Sequence, residues 1–272
     1  MRHGGFRASR GSVRHGDVWL KFPEGHFISA VYWRKLLLTK MKKQDEFIPG
    51  QYYHVIMKAN HQDVLFKDSL DKSAFLHRIC RFILPCAEVI SYVLLSNHVH
   101  LLIRPHPEAI LRKLPLQLHE ISHGLTATQL EEYLLGKVEI SLSKFLSPHQ
   151  GHLNDLLVSC IRGLKISYKC WYNNRYQASG TLWARSRVTL MLPNSEDIYR
   201  TIAYIHHNPV HHGLVKEPGD WQFSSYTEII WSKSEVIRPT EVLKLYSSLE
   251  DFIELHQEAK PIFAKKTKNN LR

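Results

Sequence analysis

The stretch "AEVISYVLLSNHVHLLIRP", residues 87–105, sets the fold class from which the other segments are interpreted. It is apolar over most of its length, which favours buried β-structure, either as one long strand or as two strands broken at residues 96–97. A helical pattern precedes it over residues 69–84, with Ser69 as the expected N-cap, and another strand is predicted over residues 51–59. This order of strand, helix and strand is typical of an α+β sandwich.

The second half of the chain continues the alternation of helix and strand. Hydrophobic spacing predicts one helix over residues 156–172 and another with Ser195 as its expected N-cap. Pro209 is expected to end that second helix, because proline lacks the backbone N–H that helix continuation requires. Between the two helices, a turn over residues 173–180 leads into a strand over residues 181–192.

Composition divides the chain into three parts. Residues 1–40 are rich in glycine and arginine and have no sustained hydrophobic period, so we expect a disordered or non-native extension ahead of a natural start at Met41. The folded domain is predicted over residues 41–228, with residues 104–155 as a helical insertion. Residues 229–272 are expected to add further helix and a basic tail.

Bulk composition narrows the class of protein. The 272 residues are 44% hydrophobic, contain no apolar run long enough to cross a membrane, and open without a recognisable signal peptide. The four cysteines form no CxxC pair, which argues against a disulfide scaffold or structural zinc and favours a cytoplasmic protein. The formal net charge of +11 favours an anionic partner such as nucleic acid, although more than half of it lies in residues 1–40.

Two histidines stand one residue apart in the predicted strand. His98 and His100 project from the same face of a strand, whereas Val99 points to the opposite face. Two neutral imidazoles at this spacing can hold one divalent metal ion. The alternative is that both are half-buried side chains bonded to their neighbours, since the chain contains 18 histidines and chance pairs are expected.

A second polar cluster lies in "YIHHNPVHHGLV", residues 204–215. Tyr204 and Asn208 are four residues apart and therefore share one face of a helix. With Asn208 as a third ligand beside two histidines, a metal ion would keep positions open for substrate, and Tyr204 could attack the polarised group. The alternative is that Tyr204 packs on the sheet and Asn208 only ends the helix. Rival nucleophiles are Tyr168, Tyr172, Tyr176 and Tyr199.

Cations and aromatic residues are interleaved in "WYNNRYQASGTLWARSR", residues 171–187. Single-stranded nucleic acid is bound by cations along its backbone and aromatic rings under its bases, so this segment is a candidate DNA surface. The alternative is that the tryptophans are core residues and the arginines are solvated. The candidate DNA-binding residues are Arg175, Tyr176, Trp183, Arg185 and Arg187.

Taken in order, "SNHVHLLIRP", "YNNRYQASGTLWARSR" and "DIYRTIAYIHHNPVHHGLVKEPGDWQFSSY" resemble the single-tyrosine HUH transposases, and among them the REP-associated tyrosine transposases. The opening "YYHVIMKANHQDVLF" is similar to the first strand and loop of that family. The resemblance extends over roughly residues 48–228 and is weakest within residues 104–155. It implies an α+β fold in which a ferredoxin-like antiparallel sheet has helices on one face, plus added helical segments.

The resemblance also implies roles for individual residues. His98 and His100 correspond to the histidine pair of the family, Tyr204 to its nucleophile, and Asn208 to a third ligand for Mg²⁺ or Mn²⁺. Attack by such a tyrosine on single-stranded or hairpin DNA gives a 5′-phosphotyrosine and a free 3′-OH, from which the strand can be rejoined. The expected partners are DNA strands with hairpin or repeat sequences, met by a monomer or homodimer at the nucleoid. The sequence names no general base.

Two other functions stay open at this point. A regulatory DNA-binding protein derived from such a transposase would bind hairpins without metal-dependent cleavage. A metal-dependent nuclease that uses water as its nucleophile would keep its activity after Tyr204→Phe. The presence of all four motif residues favours a DNA strand transferase of the transposase type.

Overall fold

The computed structural model describes residues 19–21, 27–29, 47–60, 64–107, 153–184 and 188–263. No helix within these ranges is long and apolar enough to cross a membrane. In chain order the elements are β1 (Trp19–Lys21), β2 (Phe27–Ser29), β3 (Tyr52–Lys58), α1 (Ser69–Phe82), β4 (Ala87–Leu94), β5 (His98–Pro105), α2 (Leu153–Tyr176), β6 (Val188–Leu192), α3 (Ser195–His211), a short 3₁₀ helix (Pro218–Asp220), α4 (Ser225–Ile230), α5 (Pro239–Leu243) and α6 (Leu249–Phe263).

Four strands form one antiparallel sheet in the order β4-β5-β3-β6, and β1 and β2 form a separate two-stranded sheet. This confirms the predicted α+β class with an antiparallel sheet. Of the two alternatives for residues 87–105, the one with two strands is correct, because the chain turns at residues 95–97. His98 is the first residue of the interior strand β5 and lies opposite Lys58, the last residue of β3.

Both faces of the sheet are covered. Alternate residues of β3 point to opposite faces, and His54 on one face is as well buried as Tyr53 and Val55 on the other. Helix α3 lies over the face of His54, where the ring of Tyr204 is 6.0 Å from the His54 ring. Both faces are therefore buried, as β4 requires, because its residues are buried on both of its sides.

Helix α3 runs through Pro209, so the prediction that Pro209 ends the helix is wrong. The helix ends two residues later, at His211, and a Schellman motif follows: the Gly213 N–H donates to the Val210 carbonyl and the Leu214 N–H to the Pro209 carbonyl, each over 2.9 Å. Gly213 has a φ of 69°, which glycine adopts without a steric penalty. Proline this close to a helix end removes a single hydrogen bond, which the motif that follows outweighs.

Other boundaries also differ from those predicted. Asp68, not Ser69, caps α1, because its carboxylate accepts from the Asp71 N–H while Asp71 accepts from the Asp68 N–H. Asn194, not Ser195, caps α3. Helix α2 extends to Tyr176, so the residues expected to begin a turn are helical.

Helices α1 and α2 pack closely against each other. A Cβ added to Gly163 would lie 3.0 Å from the ring of Phe82, so the absence of a side chain permits this approach. Beyond the helices, the predicted division of the chain is only partly covered by the described residues. Met41 and residues 108–152 lie outside them, and residues 1–40 are represented by β1 and β2.

Candidate active site

Three elements that are distant in sequence converge on one face of the sheet. Strand β5 contributes His98 and His100, whose ring centroids are 5.1 Å apart. Strand β3 contributes His54, and helix α3 contributes Tyr204 and Asn208 one turn apart. The Tyr204 ring lies 5.6 Å from the His100 ring. These five residues, called the His–Tyr site below, include all four of the residues predicted as ligands and nucleophile.

The hydrogen bonds of His98 fix which of its nitrogens is open. Nδ1 lies 2.6 Å from Oδ1 of Asn97, so it carries the proton and donates it to the amide oxygen. Nε2 is then an acceptor, and it lies 3.4 Å from Oδ1 of Asn208, which is also an acceptor. A cation between the two would satisfy both atoms. Half a turn of the Asn208 amide would instead let its Nδ2 donate to His98 Nε2.

His100 is oriented by a residue that the sequence analysis missed. Its Nδ1 lies 2.9 Å from Nε2 of His54, and both imidazoles are buried. A metal-binding histidine commonly donates its second ring nitrogen to a neighbouring acceptor, which fixes the ring and its tautomer. His54 is placed to accept that proton, leaving His100 Nε2 as a ligand atom. Strand alternation alone could not assign this role, because it does not give the register between β3 and β5.

Burial makes these histidines neutral at pH 7. It lowers the pKa of His54 to about 4, that of His98 to about 4, and that of His100 well below its ordinary value. Neutral imidazole is the form that binds metal ions. Burial acts in the opposite sense on Tyr204, whose phenol pKa it raises, while the side chain of Asn208 partly offsets that effect.

The donor set of the His–Tyr site fits a divalent cation. Asn208 is completely buried, yet its Nδ2 makes no hydrogen bond within the described part of the chain. Buried polar atoms normally have partners, and an amide whose oxygen binds a ligand is one explanation for an orphaned nitrogen. In those same residues no group of three or more His, Cys, Asp or Glu could hold a metal. An ion here would take His98, His100 and the Asn208 oxygen, with its other positions left to water or substrate.

Lys58 adds positive charge to the same face. It is exposed, lies opposite His98 in the β3–β5 register, and acts electrostatically on both His98 and His100. Among the residues that the structure describes, no carboxylate forms a salt bridge with it. A lysine at the end of a strand carries no distinctive sequence signal, so its place beside the histidines emerges only from the strand register.

The predicted DNA-binding residues have partners within the protein. Arg175 binds Asp68 and Asp71 at 2.6 Å each, and the Tyr176 hydroxyl also donates to Asp71. Trp183 is buried, and its Nε1 donates to the Lys165 carbonyl over 2.9 Å. These contacts give the three side chains structural roles, and DNA binding by them stays a prediction. Arg185 and Arg187 lie outside the described residues.

The rival tyrosines are bonded elsewhere. Each donates its hydroxyl to an oxygen outside the His–Tyr site: Tyr168 to Leu65, Tyr172 to Val64, Tyr176 to Asp71 and Tyr199 to Leu245. Of the five tyrosines considered as nucleophiles, Tyr204 is the one whose ring contacts His54 and His100.

A comparison with solved structures finds similarity to one described as a REP-associated tyrosine transposase bound to a REP hairpin. The TM-score is 0.45 and the sequence identity 16%, and the match covers 71% of this chain and 86% of the other. No protein-family model and no curated protein matches the chain.

Proposed function

We propose that the protein is a divalent-metal-dependent DNA strand transferase of the transposase type, in which Tyr204 forms a covalent 5′-phosphotyrosine intermediate. The observation that carries the proposal is the 3.4 Å approach of His98 Nε2 to Asn208 Oδ1, one helical turn from a tyrosine whose ring packs 5.6 Å from the His100 ring. The proposed ligand atoms and the proposed nucleophile come from β5 and α3, which are about 100 residues apart in the chain.

The chemistry asked of the His–Tyr site is transesterification of a phosphodiester. A Mg²⁺ or Mn²⁺ ion bound by His98, His100 and Asn208 would stabilise the negative charge that grows on the non-bridging oxygens. The phenolic oxygen of Tyr204 forms a bond to phosphorus, and the bond from phosphorus to the 3′ oxygen breaks, releasing a 3′-OH. One phosphodiester replaces another, so rejoining by the reverse reaction needs no ATP.

The remaining residues prepare this step. Tyr204 and Asn208 are held on one face of α3, so the proposed nucleophile and the proposed third metal ligand move together. The raised pKa of Tyr204 keeps the phenol protonated until attack, so the proton must leave during the reaction. Lys58 stands beside His98 as a cation for the phosphate backbone. The substrate class we propose is single-stranded DNA, including strands presented by hairpins.

The deciding experiment is a search for the covalent intermediate. Single-stranded oligonucleotides that tile the DNA flanking the gene are incubated with protein and Mn²⁺ or Mg²⁺, and the products are run on a denaturing gel. We expect a metal-dependent protein–DNA adduct with wild type and none with Tyr204→Phe or His98→Ala. Tyr172→Phe, at a phenol bonded outside the His–Tyr site, is the matched control and should form the adduct normally.

Each of the other possible outcomes indicates a different function for this protein. An adduct that survives Tyr204→Phe moves the nucleophile to another residue and contradicts the proposal. Metal-dependent cleavage without an adduct identifies a nuclease that uses water. Binding to hairpin oligonucleotides without metal-dependent cleavage identifies a DNA-binding protein without strand-transfer activity.

A further inference from the structure

Helix α3 carries a second polar cluster that the proposed chemistry does not use. We call it the buried histidine network: His206 on α3, His256 on α6, Ser225 on α4 and Ser91 on β4. All four side chains are buried, with at most 2% of any residue exposed. Four buried polar residues contributed by four separate elements need a reason, since burial of polar groups costs free energy unless they are bonded.

The hydrogen bonds of the network run in one direction. His256 Nδ1 lies 2.7 Å from the Phe252 carbonyl, which can only accept, so the proton of His256 is on Nδ1. His256 Nε2 is therefore an acceptor, and His206 Nδ1, at 2.8 Å, donates to it. His206 Nε2 is then an acceptor in turn, with the Ser225 hydroxyl at 2.8 Å and the Ser91 hydroxyl at 3.1 Å. One backbone carbonyl thus sets both tautomers.

The network meets the sheet on the same face as the His–Tyr site. In the β4–β5 register Val93 lies opposite His100, so Ser91, two residues from Val93, shares that face. Helix α3 is consequently anchored there through the hydrogen bond between His206 and Ser91, two residues before Asn208 reaches His98. If α3 slid or turned by one residue, the bonds of His206 to Ser91, Ser225 and His256 would break and leave buried polar atoms unpaired.

We propose that His256 is a positioning residue for Tyr204 and Asn208: through its hydrogen bond to His206, it fixes the axial and rotational setting of α3 over the metal-ligand histidines. This role rests on the strand-transferase function proposed above. His256 touches neither the phosphate nor the metal ligands, so its effect reaches the reaction through the placement of the helix. Displacement of reacting groups by about 1 Å costs a reaction on the order of 100-fold in rate.

Two substitutions separate the hydrogen bond from the bulk of the ring. His256→Gln places an amide oxygen where it can accept from His206 Nδ1, so it should restore the network. His256→Phe keeps an aromatic ring but leaves His206 without its acceptor. Ser225→Ala removes the nearer of the two hydroxyls at His206 Nε2 and provides a second route should His256→Phe fail to fold.

Tyr199→Phe is the matched control. Its hydroxyl donates to the Leu245 carbonyl over 2.7 Å and so joins α3 to the segment between α5 and α6 without touching the network. The loss of this hydrogen bond removes a buried contact of α3 that should affect stability alone. Any variant that acts only through general destabilisation should therefore behave like Tyr199→Phe at an equal loss of melting temperature.

The experiment measures the single-turnover rate of adduct formation, the Kd for the same oligonucleotide, and backbone hydrogen exchange over residues 203–208. We expect His256→Phe and Ser225→Ala to slow adduct formation by about 10- to 100-fold with Kd unchanged, and to speed exchange in that segment. His256→Gln should stay near wild type in all three measurements, and Tyr199→Phe should keep the wild-type rate.

The proposal is overturned if His256→Gln is as slow as His256→Phe, or if Tyr199→Phe slows the reaction equally. It is also overturned if exchange over residues 203–208 does not distinguish His256→Phe from wild type. Hydrogen exchange needs no catalysis, so it decides the positioning role even if wild type forms no adduct. In that case the proposed function fails and the anchoring of α3 is judged separately.

Discussion

Helix α3 carries two buried polar clusters, and they differ in how completely their hydrogen bonds are made. In the buried histidine network both nitrogens of His206 and of His256 have partners within 3.1 Å. In the His–Tyr site, His98 Nε2 and Asn208 Oδ1 are 3.4 Å apart and are both acceptors when the His98 proton is on Nδ1, and the Asn208 Nδ2 has no hydrogen-bond partner among the described residues. Residue type and depth of burial do not separate the clusters, since burial lowers the pKa of the histidines in both.

The difference teaches how to tell a structural histidine from one that awaits a ligand. A histidine whose donors and acceptors are all supplied by the protein has nothing left to offer a metal ion. A histidine whose open nitrogen faces another acceptor is stable only if a cation or a rearranged proton joins them. The completeness of the hydrogen bonding, rather than the number of histidines, therefore marks the site.

The largest expected effect is a loss of activity in Asn208→Ala that is not accompanied by a loss of stability. Asn208→Ala should slow adduct formation by about 100-fold or more, because it removes a proposed metal ligand, and loss of even a second-layer partner costs 10- to 100-fold. The free energy of unfolding should stay equal to that of wild type or rise, since an orphaned buried amide is removed. Single-turnover kinetics and urea unfolding measure the two effects. A marked loss of stability would show that Asn208 is structural like His206, and would erase the contrast.

Acid should act on the buried histidine network through His256. The unfolded chain protonates this residue below pH 6.5, whereas burial lowers its pKa in the folded state to about 3. The unfolded state therefore binds the extra proton, and stability falls as the pH drops from 6.5 toward 3, by about 1.4 kcal/mol per pH unit for one histidine.

Urea unfolding of wild type and His256→Gln at several pH values measures this slope. Between pH 6.5 and 3, the unfolding free energy of the variant should lack the part of the pH slope that comes from the uptake of one proton by His256. The groups that face His256 are the rings of His206, His207 and Tyr226 and the Phe252 carbonyl, and none of them carries a negative charge. Parallel curves for the two proteins would mean that His256 is not held neutral by its surroundings.

A smaller effect is expected from a substitution of His54. His54 is bonded like a network residue but serves the His–Tyr site through His100. His54→Phe should weaken Mn²⁺ binding by about tenfold, as is usual for a residue that orients a metal ligand. Isothermal titration with Mn²⁺ tests this, with Tyr199→Phe as the control for lost burial. Unchanged affinity would place His54 with the structural histidines.

The smallest effect concerns charge next to the His–Tyr site. Lys58→Gln should reduce the slope of log K against log salt for single-stranded DNA by about 0.7, the value for one phosphate contact. Arg175→Gln is the opposite control: its carboxylate partners are supplied by the protein, so it should lower the melting temperature and leave the slope unchanged. The reverse result would return Arg175 to the DNA surface predicted from sequence.

Local patterns were sufficient for the parts of the site that lie within one element. The spacing of His98 and His100 on a strand and of Tyr204 and Asn208 on a helix gave each pair its shared face. His54, Lys58 and His256 could not be assigned in this way, because their roles depend on strand register and helix docking. The same limit applies to the fold: strands and helices followed from hydrophobic period, whereas sheet order did not.

Local rules also failed where a neighbouring signal was stronger. Pro209 does not end α3, because the Schellman motif at Gly213 lies within the next turn and fixes the helix end. Arg175 looked like an exposed cation, yet tertiary packing places it against the fully buried Asp71. Both cases have one origin, namely that a residue's nearest sequence neighbours are only some of the groups that compete for it, although DNA binding by Arg175 itself stays a prediction.

The direction of β5 has a practical consequence for protein engineering. The strand begins at His98 in the His–Tyr site and ends at Pro105, about 23 Å away at 3.3 Å per residue. The far end of β5 is held by hydrogen bonds from the Gly50 N–H to the Pro105 carbonyl and from the His106 N–H to the Cys86 carbonyl. The Cys86 thiol in turn contacts the thiol of Cys160 on α2. A fluorescent reporter or a second DNA-binding domain grafted after Pro107 would thus be attached remote from the reactive tyrosine. Fusions built there offer a way to bring the proposed strand transferase to chosen DNA while Tyr204 and its surroundings are left unchanged.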